Sequence, residues 1–237
     1  MFLPIHDQNG LKYIKRAYVN YALIIANILV WIVMRRETVL EQNTLQLALG
    51  FVPGTVFNGD RIDPSVALVP PWATFFTYAF FHIDTMHIAV NMLFLWVFGD
   101  NVEDALGHVR YALFYLACAA FGAFIHGLTD PASQLPMIGA SGAVSGVLSA
   151  YVLLHPRVRI WALVLFGIPL PLPAFIPLLL WIGEQFYMLA TDHSGMVSWG
   201  AHTGGIVAGA VLVIVLKRST VHLLDRGGSI PADGEPK

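Results

Sequence analysis

Long runs without a single charge alternate with short clusters of Asp, Glu, Lys and Arg along this chain. The charge-free runs cover residues 17–34, 85–99, 111–129, 131–156, 160–183 and 193–216. A charge at mid-bilayer is unfavourable by roughly 2.5–3.5 kcal/mol on insertion scales, so the charges are expected to mark the gaps between membrane spans. A spanning helix takes about 20 residues. Six runs come close, although 85–99 is short and is expected to start before Asp84.

The fifth run is not one helix. Pro169, Pro171, Pro173 and Pro177 remove backbone donors and fix φ, so a helix cannot pass through them. The pattern predicts an apolar loop or interfacial segment over 160–172 and a span over 174–190. That span holds Glu184, either neutral or bonded to a neighbouring helix, or else part of an ion or proton site.

Residues 64–83 are apolar enough for a seventh span, but Pro64, Pro70 and Pro71 oppose it, and charge opposes it further. With six spans and the N-terminus inside, Lys12, Lys15, Arg16, Arg110, Arg157, Arg159, Lys217, Arg218, Arg226 and Lys237 are inner, while Arg35, Arg36 and Arg61 are outer. A seventh span would reverse that distribution. The excess of cytoplasmic Lys and Arg in membrane proteins therefore favours six spans, both termini in the cytoplasm and one large outer loop over 35–83. The aromatic residues Trp72, Phe75, Phe76, Tyr78, Phe80 and Phe81 of that loop suit a membrane–water interface.

Composition agrees. Of 237 residues, 57% are hydrophobic and 12% charged, against about 25% charged in ordinary soluble domains. The mean hydropathy is +0.67. The fold class expected is an all-α membrane protein, a six-transmembrane-helix bundle. A short cytoplasmic arm (1–16) precedes the membrane domain (17–217), and a cytoplasmic tail (218–237) is expected to be disordered. The net charge of −2 offers no basic surface to nucleic acid. The one cysteine, Cys118, excludes an intramolecular disulfide and reads as a small buried hydrophobe. The N-terminus lacks the basic segment and adjoining apolar core of a cleaved signal peptide. No Walker motif or metal-ligand cluster is present, so no cofactor is expected. The absence of an internal repeat weighs against a transporter.

Chemistry must then come from the polar residues that the spans retain. Gly139-Ala140-Ser141-Gly142 opens the fourth span. Gly142 and Gly146 form a small-residue face, and the serine alone reads as helix packing. His82, His87 and Asn91 open the second span. His87 and Asn91 share a helix face, and alone they read as a helix-linking hydrogen-bond pair. Ala201-His202-x2-Gly205-x3-Gly209 opens the sixth, with Gly205 and Gly209 suited to tight packing. Spans two, four and six run in the same direction, so Ser141, His87 and His202 are expected at one depth below the outer surface. Packing alone does not account for that convergence. A serine needs a base to become a nucleophile, and neutral imidazole suits that role near pH 7. A tetrahedral intermediate needs preplaced donors, which the Ser141 N–H, the His87 ring and the Asn91 amide can supply. The chemistry indicated is acyl transfer.

These motifs together resemble the rhomboid family of intramembrane serine proteases. The likeness covers residues 72–210. It rests on the His82/His87/Asn91 spacing, Trp96-x-Phe98-Gly99-x3-Glu103, Gly139-x-Ser141-Gly142, and Ala201-His202-x2-Gly205-x3-Gly209. The resemblance implies a six-helix rhomboid fold, Ser141 as nucleophile and His202 as general base. It further implies an oxyanion and substrate-binding set of His87, Asn91, Ser141 and Gly139. His82, Glu103, Gly142, Gly205 and Gly209 are expected to be structural. Two positions depart from the family pattern. Ala73 follows Trp72 where many members carry arginine, and Ser145 stands where some carry a tyrosine beneath the histidine ring. The Ser145 hydroxyl is expected to bond back to the Ser141 carbonyl. Membrane proteins with a helix-destabilised transmembrane segment are the implied substrates, and a bacterial cell membrane the expected setting. A catalytically inactive binder of membrane helices is the alternative.

Overall fold

The computed structural model describes residues 2–224 except 61, 165, 166 and 193. Arg61, Arg226 and Lys237 of the charge count, and the tail from 225, lie outside the described residues.

Asp84 starts the central helix. Its side chain accepts the His87 N–H at 2.8 Å, an N-cap bond that satisfies one of the orphan donors of the first turn. The helix then runs Thr85–Leu106 (α5), well past the charge-free run that ended at residue 99. Asp100, Glu103 and Asp104 thus lie inside a helix rather than in a gap, which corrects the expectation. The physical reason is that backbone donors replace water around two of these carboxylates. Glu103 accepts the N–H groups of Val19 (3.1 Å) and Asn20 (2.7 Å), and its side chain also meets His108. Asp104 accepts those of Lys12, Tyr13 and Ile14 at 2.7–2.8 Å. Gly107, at φ 86°, separates α5 from the next helix (α6, His108–Thr129) in a conformation that side chains rarely adopt.

The remaining apolar helices are α1 (Tyr18–Met34), α7 (Ser141–Leu154), α8 (Phe175–Thr191) and α9 (Trp199–Leu216). Only α6 and α9 meet a length-and-hydropathy test for crossing a membrane alone, among the described residues. The segment Pro71–Phe80 passes that test jointly with α5, across a bend of 85°. The segment 35–83, expected as an outer loop, is structured too. It carries α2 (Val39–Leu49), α3 (Pro53–Phe57) and α4 (Thr74–Thr77). Its Phe51 is fully buried against Phe57, Phe75 and Tyr78, whereas Trp72 is exposed.

The tightest seam joins α7 to α9. A Cβ on Gly205 would collide with the Gly142 carbonyl, and one on Gly209 would stand 2.6 Å from the Gly146 Cα. Only glycine lets these backbones approach so closely. Cys118 is buried against Gly146, as its apolar setting predicts.

The bundle is helical, but the chain is not all-α. Residues predicted as an apolar loop form a hairpin, β2 (Arg159–Val164) and β3 (Ile168–Pro173), and the N-terminal arm adds β1 (Leu3–Asp7) in the order β1-β2-β3. The alternate prolines that exclude a helix suit an edge strand. Pro169, Pro171 and Pro173 recur with period two along β3, which has a neighbour on one side only. The sheet sits at the far ends of α5 and α7, where the Asp7 carboxylate accepts from Asn101 Nδ2 (2.9 Å) and the Tyr151 hydroxyl (2.7 Å). The first residues of the tail are also ordered. Val221 is buried, and the Leu224 N–H bonds the Leu153 carbonyl.

Candidate active site

Three helix starts meet at the end of the bundle opposite the sheet. Ser141 is the first residue of α7, His202 the fourth of α9 and His87 the third of α5. His202 Nε2 lies 2.9 Å from Ser141 Oγ. Its other nitrogen, Nδ1, lies 2.8 Å from Gln185 Oε1 on α8. The Gln185 amide also donates from Nε2 to the Trp181 carbonyl at 3.0 Å, which turns its oxygen toward the imidazole. An amide oxygen only accepts, so Nδ1 carries the proton and Nε2 is free to accept the serine hydroxyl. This is the tautomer that general-base chemistry requires. Trp181 and Trp199 flank the ring at 6.3 and 5.8 Å between centroids, so aromatic contacts reach His202 although position 145 is serine. Ser145 Oγ donates to the Ser141 carbonyl at 2.6 Å, as expected.

Gly139 prepares the opposite wall. Its φ of 130° is left-handed, and a Cβ there would stand 2.8 Å from His87 Nε2 and 3.7 Å from Ser141 Oγ. The His87 ring nitrogen thus hangs over the backbone just before the serine. His82 is buried, stacks edge-on to His87 at 5.0 Å and accepts the Ala140 N–H at 3.4 Å. Asn91 is buried one turn below His87. Its amide donates to the His87 carbonyl at 3.0 Å, leaving a second amide hydrogen. Ser141, His202 and His87 remain partly exposed, so the cluster opens to the surface.

The expected residues therefore divide cleanly. Ser141, His202, His87, Gly139, Asn91 and His82 gather at this end. Gly142, Gly205 and Gly209 form the seam below it. Glu103 stands at the other end and ties α1 to α5. Glu184 is exposed, not within the bundle. Sequence reasoning missed its neighbour Gln185, which is 2% exposed. The available signal was its spacing of four from Trp181, which puts both on one face of α8.

The rhomboid domain matches residues 70–219. The chain belongs to the rhomboid family. Among curated proteins, this rhomboid is similar to RHOMBOID-like protein 12, mitochondrial, of Arabidopsis thaliana: 32% identical over 154 residues, 58% of this chain and 44% of that protein. It is similar to Rhomboid protein 1, mitochondrial, of Saccharomyces cerevisiae, at 31% over 137 residues, 56% of this chain and 38% of that one. It is also similar to Rhomboid protease GluP of Bacillus subtilis, at 31% over 140 residues, 58% and 25% respectively. This rhomboid spans less than half the length of these relatives. Family membership makes it a membrane protein. Relatives from mitochondria and from a bacterium do not single out the bacterial cell membrane expected from the sequence.

Proposed function

We propose that this rhomboid is an intramembrane serine endopeptidase in which Ser141 and His202 act as a catalytic dyad. The observation that carries the proposal is the 2.9 Å contact from His202 Nε2 to Ser141 Oγ, with the imidazole tautomer set by Gln185. Ser141 Oγ attacks the scissile carbonyl carbon as its proton passes to His202 Nε2. The oxygen becomes an oxyanion facing the Ser141 N–H, the His87 ring and the second amide hydrogen of Asn91, with Gly139 keeping that wall open. Collapse breaks the C–N bond, and His202 protonates the leaving amine. Water, deprotonated by His202, then releases the acyl group and restores the serine.

Six crossings by α1, α5, α6, α7, α8 and α9, a membrane domain over 17–217 and cytoplasmic termini complete the reading. In that orientation the dyad lies just below the outer face. Substrates are transmembrane segments whose helices break easily there, because an intact helix keeps each scissile carbonyl in a hydrogen bond.

Fluorophosphonate labelling followed by peptide mapping tests the proposal, alongside cleavage of a transmembrane reporter in proteoliposomes. Labelling of Ser141, and loss of both labelling and cleavage in Ser141→Ala, is expected. Full reporter cleavage by Ser141→Ala overturns it.

A further inference from the structure

We infer that Gln185 is a positioning residue for His202, completing a Ser141–His202–Gln185 relay in which an uncharged amide stands where many serine hydrolases use a carboxylate. The inference rests on the dyad reading above. The three groups form one line of contacts, 2.9 Å from Oγ to Nε2 and 2.8 Å from Nδ1 to Oε1. Gln185 is almost wholly buried, and its amide oxygen is the partner of Nδ1. Without an acceptor there, the proton can sit on either nitrogen, and the ring loses its only polar anchor on the side away from Ser141 among the described residues. Among the described residues, the other titratable groups that act on His202 are His87 of α5 and His126 of α6. Neither supplies a negative charge.

The test compares Gln185→Leu and Gln185→Glu with wild type and Ser141→Ala on one reporter. Gln185→Leu keeps the volume and removes the acceptor. It is expected to lower kcat by roughly 100-fold with KM unchanged, the order of loss when a catalytic group is misplaced. Gln185→Glu restores the acceptor and adds charge. It is expected to recover rate over Gln185→Leu and to move the acid limb of the pH–rate profile upward, because a carboxylate stabilises imidazolium. Wild-type kcat in Gln185→Leu, or an acid limb that Gln185→Glu leaves in place, overturns the inference while an inactive Ser141→Ala keeps the dyad standing. Activity in Ser141→Ala overturns the dyad itself.

A second, independent observation lies at the other end of the bundle. A groove of about 1070 Å³ opens between the start of α6 and the end of α9. Arg110, Lys217 and Arg218 line it, and the polar partners of all three are carbonyl oxygens: Leu216 at 3.3 Å, Val221 at 2.7 Å and Asp104 at 3.2 Å. The carboxylates behind it, Glu103 and Asp104, face backbone N–H groups and, for Glu103, the His108 ring, rather than these three cations. Its outer lip is apolar, with Val109 74% and Val215 73% exposed on the faces of the same two helices. Cationic floor and apolar lip together match one molecule class. We propose that the groove binds the phosphate headgroup of an anionic phospholipid, the acyl chains lying along α6 and α9.

Native mass spectrometry of protein from mixed micelles of phosphatidylglycerol and phosphatidylcholine tests this second proposal. Preferential retention of phosphatidylglycerol is expected. The double variant Arg110→Gln/Lys217→Gln should weaken it roughly thirtyfold, at about fivefold per basic residue near an anionic surface. Lys217→Gln alone serves if circular dichroism shows the double variant unfolded, with roughly a fivefold loss. Equal retention of both lipids by wild type, or no loss in the variants, overturns it. Displacement by inorganic phosphate as readily as by a short-chain phosphatidylglycerol also overturns the lipid assignment, in favour of a free anion.

Discussion

The bundle has two polar ends, and they use polarity in opposite ways. At one end, Ser141, His202 and His87 are partly exposed, and their contacts run from side chain to side chain. At the other, Glu103 and Asp104 are buried and accept five backbone N–H groups from the arm and α1. On the proposed dyad reading, the groups at the first end keep a free valence for a substrate. Polar atoms that hold a fold are met by fixed donors. The same apolar medium makes both costly.

Ser141→Ala breaks the comparison most sharply. Reporter cleavage should fall by more than about a thousandfold, while the unfolding free energy in detergent stays within about 0.5 kcal/mol of wild type. A large stability loss would mean that Ser141 is part of the scaffold. Gly205→Ala comes next, because the glycine seam connects the two ends. Its Cβ would meet the Gly142 carbonyl and push α7, carrying Ser141, from α9, carrying His202. Cleavage should fall by roughly tenfold or more from misplacement, with a loss of roughly 1–3 kcal/mol from overpacking. Glu103→Ala reverses the pattern. It strands the Val19 and Asn20 N–H groups and should destabilise by roughly 2–6 kcal/mol, at about 1–3 kcal/mol for each buried donor left without a partner. The molecules that remain folded should cleave at the wild-type rate, which active-site titration with a fluorophosphonate would check.

Much of this architecture can be read from the chain, with failures that share a cause. Charge-free runs locate the six apolar helices found among the described residues, but they misplace the end of α5, because a carboxylate solvated by backbone N–H groups does not mark a gap. They also overextend the start of α7, since residues 131–140 are free of charge yet held in a loop by Pro131, Pro136 and Gly139. The alternate prolines rule out a helix over 168–173. They do not reveal a strand, because β1 comes from the far end of the chain. Ser141, His202 and His87 emerge from polarity at a shared depth. Gln185 does not, because an uncharged residue beside Glu184 becomes distinctive only when the rotation of α8 is known.

The smallest expected effect on cleavage comes from Asp7, and it tests whether the scaffold end is as saturated as its geometry implies. Burial in the sheet pushes the Asp7 carboxyl up to about 7, aided by the nearby Asp100 charge and opposed by the hydrogen bond from Tyr151. In the unfolded chain the same group titrates near its ordinary value of about 3.9. Between those values the folded protein holds a proton that the unfolded chain has released, so stability falls as pH rises from about 4 to about 7 and levels off above. Asp7→Asn removes the titrating group and keeps a partner for Tyr151 and Asn101. Chemical denaturation from pH 4 to 8 should show the slope in wild type and a flatter profile in Asp7→Asn, with cleavage at pH 7 unchanged. An identical slope in both proteins would assign the pH dependence to another group and leave Asp7 as a plain hydrogen-bond acceptor.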